Sequence, residues 1–473
     1  MKKEPPDIIG LRTNIRKEVP MQDFIIKLLD LKEEDLDSIH TVSKINQADF
    51  LITLKVKDHV CPQCGCFTRY VKDYRTRKLK HKVLVNFSST IFYRQRRYLC
   101  RNCQKSFVEK SPFTGNRHTM TPATVINILN DLKPYNSTYS SVAKKYDVSV
   151  TTVIDIFDRH VQIPRKKLTD ILCWDEFYFN RHARKKYAFM IMDFRKKYII
   201  DIVESRWNED LYDYFFRIPL SERNNVRYII IDMYSNYRQI CHIFFKNATV
   251  CIDPFHAKKR VTDSLNMVRK RIMRTYHDEM KNSQEYRLLK SRCYLIMKNR
   301  DDLNDVRYCY DHILNAHVTE TYVVERIRKI SPMLDEAYKI KEEFVSLNDE
   351  TAQSFKDKDR KEKELNSLIK KMMLSEIPEM IECAKTLKNW KKEILNSFVW
   401  VENRRLSNGP IEGKNNYIKK IINNANGLQN FERARNKFIY SQNLYEGYTV
   451  SEHTNKIKRV GNPRGNYKKN SGQ

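Results

Sequence analysis

The feature that most constrains this chain is a pair of Cys-x-x-Cys steps, Cys61-Pro-Gln-Cys64 and Cys100-Arg-Asn-Cys103. Each step can aim two thiolates at one point, and four thiolates complete the tetrahedral shell of one structural Zn²⁺. The interval between the steps exceeds the about 15–20 residues usual for such sites. It holds strand-like runs at Lys82–Phe87 and Ile91–Leu99. A zinc ribbon with an enlarged hairpin, over 59–118, accommodates both facts. Cys66 is expected to be a bystander, although it could substitute for Cys64. The bland alternative is four core or surface cysteines with fortuitous spacing. Disulfides are not expected. The N-terminus, MKKEPPDIIG, breaks any signal-peptide core with proline and acid. A reducing cytoplasm then leaves the eleven cysteines as thiols or metal ligands.

Charge suggests what such a module touches. Residues 61–118 carry 14 Lys and Arg against 2 Asp and Glu. Arg94, Arg96, Arg97 and Arg101 crowd the second step. A charge run is usually a solvated face, but on a small metal-stapled module phosphate contact is the better expectation. The whole chain repeats the bias, with a formal net charge of +30, and nucleic acid is the natural polyanionic partner. A membrane partner is not expected, because no apolar run approaches the ~18 residues of a spanning helix. A hydrophobic content of 41% supports folded cores, and 473 residues allow about two to four domains.

The segment 1–58 is charged and mixed, with one amphipathic helical candidate at Phe24–Leu31. From 119 to 164 the pattern is helical. Pro122 stands at a first helical position after Thr121, and Val125, Ile128, Leu129 and Leu132 recur at helical spacing. Val142, Ala143 and Tyr146 mark a second helix. Asp147-Val148-Ser149 reads as a turn, with Ser149 an N-cap. Val153, Ile154 and Phe157 mark a third helix. The spacing is that of a helix-turn-helix, which would turn Thr151, Thr152 and Asp155 toward a DNA groove. An ordinary helical hairpin is the competing reading.

From 165 to 256 the chain reads as strands. Leu168–Trp174 leads into Asp175-Glu176. Tyr187–Phe194 and Tyr198–Val203 follow, split by the turn-like Arg195-Lys196-Lys197, and a helix is expected near Asp210–Phe216. Tyr228–Ile231, continuously apolar, reads as a strand buried on both faces and ends in Asp232. A helix (Tyr237–Phe245) and a strand (Thr249–Ile252) lead to Asp253-Pro254-Phe255-His256. Three antiparallel strands followed by alternating helix and strand is the order of a ribonuclease H-like fold, whose ligand sites gather at the carboxyl ends of strands. Residues 257–395 contain no glycine and read as an α-helical insertion or a separate helical domain. Val261, Leu265, Val268 and Ile272 form an apolar stripe there, and Tyr322–Phe344 and Lys363–Met373 are further helices. Residues 396–450 carry Ser407-Asn-Gly-Pro-Ile-Glu412-Gly and then a helix stopped at Gly427, followed by a helix with Phe431, Ala434, Phe438 and Ile439. The tail, 451–473, is basic and is expected to touch DNA nonspecifically.

Asp175, Asp232 and Glu412 could converge at one sheet edge. Singly each has an ordinary explanation. Glu412 suits a helix N-terminus, Glu176 could act in place of Asp175, Asp193 and Asp201 could end strands, and Asp253 could cap a helix. Together they form a hard, oxygen-only site suited to two Mg²⁺ or Mn²⁺ ions and in-line displacement at phosphorus. No nucleophilic His/Cys spacing and no phosphate-cradling Gly-rich Lys loop is present.

At this point the sequence resembles a family. CPQC and CRNC with a following Phe, the paired helices, WDEFYF, IDMYSNY, DPFHAKK and SNGPIEGKNNYIK…GLQNF together resemble the ISL-three-type transposases of bacterial insertion sequences. The resemblance covers most of the chain and implies a DDE triad at Asp175, Asp232 and Glu412. It also implies an α-helical insertion before the glutamate. Asp253 and His256 would be outer-sphere or DNA-contacting, and Asn415 would orient the glutamate. The inter-step segment is unusually basic, and the tail after Tyr448 has no counterpart. A transposase would bind terminal inverted repeats as a dimer or larger assembly, then cleave and transfer strands, in a bacterial cytoplasm at the nucleoid. The rival readings are a domesticated, catalytically silent DNA-binding regulator and a structure-specific nuclease.

Overall fold

The computed structural model describes residues 31–82, 88–115, 118–180, 185–349, 358–425 and 428–442, with Ile26 and Leu29. The strand expected at Lys82–Phe87 falls almost wholly outside these residues, as do the basic tail, Gly427 and most of the helix expected at Phe24–Leu31. The chain forms two compact units that meet in sequence at Gln162/Ile163.

The first unit contains a five-stranded sheet. Strands β1 (Leu36–Lys44) and β2 (Gln47–Leu54) pair antiparallel. The short β3 (His59–Val60) and β4 (Phe67–Thr68) form their own hairpin. β5 (Val71–Lys80) pairs antiparallel with β6 (Ser88–Leu99), which pairs parallel with β2 and antiparallel with β7 (Ser106–Val108). Phe50, Ile52, Leu79, Ile91 and Tyr93 make its core. Reading the sequence missed β1, β2 and β5. The apolar residues of β5 are too few, and Lys72, Arg75 and Lys78 break the pattern at its exposed positions (VKDYRTRKLK). Three helices follow: α1 (Pro122–Asp131), α2 (Tyr139–Tyr146) and α3 (Val150–His160). Pro122 opens α1, and the Ser149 hydroxyl caps α3 by accepting from the Thr152 amide. Asp147 makes the turn in a left-handed conformation, φ 51°. In α3 the buried residue beside Val153 and Phe157 is Ile156, not Ile154.

The second unit is built on the sheet β10-β9-β8-β11-β12. β8 (Ile171–Tyr178), β9 (Tyr187–Asp193) and β10 (Ile199–Val203) form an antiparallel meander. Helices α4 (Asn208–Phe216) and α5 (Leu220–Asn224) lead to β11 (Tyr228–Ile231), and α6 (Ser235–Phe244) leads to β12 (Thr249–Ile252). β11 runs parallel to both β8 and β12. Trp174 is fully buried on β8 and anchors the unit, stacking on Phe215 at 4.9 Å. The long α7 (Pro254–Arg274) buries Val261, Leu265, Val268 and Ile272. Helices α8 (Gln284–Ser291), α9 (Cys293–Met297), α10 (Glu320–Arg328), α11 (Pro332–Asn348), α12 (Lys358–Leu374), α13 (Pro378–Asn389) and α14 (Lys391–Asn396) follow, with a small hairpin at Cys309–Val318. The single helix expected over Tyr322–Phe344 is two, because Pro332 has no amide hydrogen to continue α10 and instead opens α11. These helices share one hydrophobic cluster with the sheet, running from Leu168 to Leu395, so they are not a separate domain. A two-strand turn, Trp400–Val401 with Arg404–Arg405, brings the chain to α15 (Gly409–Ala425) and α16 (Phe431–Gln442).

Candidate functional site: a carboxylate edge and a four-thiol cluster

Strand register builds the first site. Ile230 pairs with Cys173, and Ile231 pairs with Ile252. Continuing both ladders by one or two residues sets Asp232 level with Asp175 on one side and with Asp253 on the other. Neighbouring strands lie about 4.8 Å apart, so three aspartates stand in a row across the carboxyl ends of β11 and β12 and the middle of β8. The row is costly. Burial, then the Asp232 charge, pushes the Asp175 carboxyl up to about 7. Burial, then Asp253, Glu176 and Glu412 among other groups, pushes Asp232 up to about 7 as well. Burial raises Asp253, which is 1% exposed.

The start of α15 docks against this row from far along the chain. Asn408, 1% exposed, donates its side-chain amide to the Trp174 carbonyl at 2.9 Å and its backbone amide to Asp253 Oδ1 at 3.0 Å. Glu412 sits in the first helical turn, near enough for its charge to raise Asp232. One turn further, Asn415 Nδ2 donates to Asp175 Oδ2 at 2.5 Å, and the Glu176 amide donates to Asp175 Oδ1 at 2.8 Å. The structure therefore pairs Asn415 with Asp175, where the sequence pointed to Glu412. Glu176 is occupied elsewhere, with Arg206 and the Tyr237 hydroxyl. Asp193 accepts from the Lys196 amide in its strand turn, and Asp201 holds Tyr214 and Arg435. Asp253 makes no side-chain cap on α7; its ligand atom lies with those of Asp232 and His256 within 4.8 Å of one another. Asn408 went unnoticed in the sequence because an Asn before a helix normally reads as a cap.

The four thiols of the first unit also converge. Cys61 Sγ lies 3.6 Å from Cys103 Sγ, and Cys64 Sγ lies 3.5 Å from Cys100 Sγ. Tetrahedral sulfurs about 2.3 Å from zinc stand about 3.8 Å apart, so the set fits the ion. The two steps are structural copies. The Cys61 amide donates to Cys66 and the Cys100 amide to Lys105, each at 2.9 Å, and the equivalent Gly65 and Gln104 are both left-handed. The backbone at Cys66 and then neighbouring groups draw the Cys64 thiol down to about 6, whereas, against the Lys105 backbone, burial and the other thiols push Cys103 up to about 12, so four thiolates coexist only around a cation. Cys66 stays outside the set and takes a contact from Asn102.

The arginines divide. Arg94 is exposed and stacks on Tyr74 at 4.0 Å, and Arg101 stacks on Tyr70 at 4.5 Å. Arg97 pairs with Asp73. Arg96 cannot serve as a DNA contact. It is 2% exposed and spends its guanidinium on the carbonyls of Leu54 and Lys55 and on Glu109. It shares a face of β6 with Arg94, both over Tyr74, and is buried by the partners that close over it. Thr151 is exposed and Thr152 half-buried at the start of α3. Among the described residues no helix is long and apolar enough to cross a membrane.

Comparison with known proteins agrees with this layout. A zinc-finger model described for the transposases of IS204, IS1001, IS1096 and IS1165 matches residues 57–103. A relative described as the transposase for insertion sequence element IS1001, from Bordetella parapertussis, is 22% identical over 253 residues. That match spans 52% of this chain and 60% of the relative. The ISL3 model of DDE transposases, described simply as transposase, matches residues 172–438, more than half the chain and all of the carboxylate edge. By that match the chain belongs to the ISL3 family of DDE transposases, with a zinc ribbon at its N-terminal side.

Proposed function

We propose that this protein is an active DDE transposase whose Asp175, Asp232 and Glu412 form the catalytic centre of a ribonuclease H-like domain. The observation that carries the reading is the carboxylate edge. Two in-register aspartates on adjacent strands lie within electrostatic reach of a glutamate on a helix that arrives after a long helical excursion. Evolving a fold around such repulsion makes sense where cations neutralise it. Asp232 Oδ1 and Asp253 Oδ2 have no hydrogen-bond partner, and the donor set is oxygen-rich, so the residues fit divalent ions, Mg²⁺ or Mn²⁺. A bound pair of such ions supplies activation of a water or a DNA 3′-hydroxyl and charge relief at the leaving oxygen. The chain's own residues do the positioning. Asn415 and the Glu176 amide fix the Asp175 rotamer, and Asn408 ties β8, Asp253 and the α15 start into one frame.

The first unit is read as the part that binds the element's terminal inverted repeats. The zinc ribbon offers Arg94 and Arg101, held flat on tyrosines. A groove of about 800 Å³ along β5 and β6 is lined by Arg75, Arg77, Lys78 and Arg97, with Asp73. Helices α2 and α3 serve as a helix-turn-helix with Thr151 and Thr152 at the DNA. Two ends must meet for transposition, so at least a dimer assembles on DNA, in the cytoplasm at the nucleoid.

The test is cleavage of a labelled end duplex with Mg²⁺ by the protein and by Glu412→Gln, with binding measured in parallel. Cleavage by the first and none by the second, at equal binding, is expected. Equal cleavage by both refutes the triad, and binding without cleavage by either favours the silent regulator.

A further inference from the structure

We propose that Asp232, Asp253 and His256 are together the ligands of one divalent first-row metal ion, so that the carboxylate edge contains a nitrogen-ligated site with a preference for Mn²⁺ over Mg²⁺. The inference deepens the reading of this edge as a metal centre and shares Asp232 with it.

Three observations carry it. The first is Asp253. It occupies the N-cap position of α7, where an aspartate ordinarily caps the first turn, yet its side chain makes no capping hydrogen bond. Oδ1 accepts from the Asn408 amide instead, and Oδ2 has no partner, on a residue 1% exposed. A buried carboxylate oxygen left unmatched costs about 1–3 kcal/mol or more, and a cation is the partner that removes the cost. The second is distance. His256 Nε2 lies 3.1 Å from Asp232 Oδ1 and 3.9 Å from Asp253 Oδ2. The shorter approach lacks hydrogen-bond direction, since Asp232 Oδ1 has no hydrogen-bond partner. Adjacent ligands each about 2.1 Å from one ion lie about 3.0–3.4 Å apart, and opposite ones about 4.2 Å. The 3.1 Å separation matches adjacent ligands, and the 3.9 Å separation lies between the adjacent and opposite values. The third is the frame. The β11–β12 ladder fixes Asp232 beside Asp253, and the first turn of α7 sets His256 three residues on, over the same point.

Chemistry sets the preference. Mg²⁺ takes oxygen and holds its waters, whereas an imidazole nitrogen suits first-row metals. Mn²⁺ accepts both donor types.

The experiment is pulsed electron paramagnetic resonance on the full-length, zinc-loaded protein with Mn²⁺. Coupling of the bound Mn²⁺ to an imidazole ¹⁴N is expected. It should vanish in His256→Ala and in His256→Gln, which keeps bulk if the alanine variant misfolds. Mn²⁺ affinity in these variants should fall at least about tenfold. Mn²⁺ bound without nitrogen coupling, or coupling that survives in a folded His256 variant, overturns the inference but leaves the Asp175–Asp232–Glu412 reading to its cleavage assay. No Mn²⁺ binding at all overturns both.

Discussion

Replacing Asp232 with asparagine should stabilise the metal-free protein while removing its activity, and the gain should grow with pH. The Asp232 carboxyl is held up to about 7 from an ordinary 3.8, first by burial and then by Asp253 and its other acidic neighbours. A displacement of about 3 pH units corresponds to about 4 kcal/mol at 1.36 kcal/mol per unit. The sign follows from linkage. Below about 4 both folded and unfolded chains hold the proton, and the site costs nothing. Between about 4 and 7 the unfolded chain ionises while the folded one does not, so stability falls steadily. Above about 7 the loss is complete. Asparagine keeps the shape and does not titrate. Asp175 and Asp253 share the repulsion, so about half the figure, roughly 2 kcal/mol, is expected at pH 8. That raises the melting temperature by about 3–4 °C in a unit of this size. Calorimetry on zinc-loaded protein dialysed free of other divalent ions, at pH 5 and pH 8, reads it. Added Mg²⁺ should then stabilise the wild type at pH 8 and leave the variant nearly unmoved. A variant no more stable than wild type at pH 8, or a gain equal at both pH values, refutes the reasoning.

Cys61→Ser or Cys103→Ser should lower bound zinc, read by elemental analysis, and weaken end binding; full zinc in both would remove the four-thiol assignment. Arg96→Ala should cost about 3 kcal/mol of first-unit stability, because it removes the cation beside buried Glu109 and leaves a cavity, while Tyr93 and the backbone amide of residue 96 still hold that carboxylate. Arg94→Ala should leave melting unchanged and flatten the salt dependence of DNA binding by about one ion, and the reverse pattern would overturn their division. Asn415→Ala should cut cleavage about 10–100-fold with DNA binding unchanged, since it frees the Asp175 rotamer; unaltered cleavage would deny it that role.

Local pattern was legible wherever one residue's physics dominates. Two Cys-x-x-Cys steps point to their own clustering, since each can aim two thiolates at one ion. Pro122 and Ser149 mark helix starts through a missing amide hydrogen and a capping hydroxyl. The apolar runs at Tyr228–Ile231 and Thr249–Ile252 are short enough to favour buried strands over helices, and strands they are. What failed was local too weak to read alone. β5 is a strand because β6 pairs with it, and its own residues are mostly charged. Arg96 and Arg94 share one face of β6, both over Tyr74, and differ only in what covers them: Leu54, Lys55 and Glu109, from elsewhere in the chain, close over Arg96. The sequence by itself determined the modules, their order and the acids available to a site. Only the tertiary structure decided which acids meet. Strand register, a property of partners distant in the chain, puts Asp232 between Asp175 and Asp253, and the docking of α15 gives Asn415 to Asp175 and Asn408 to Asp253.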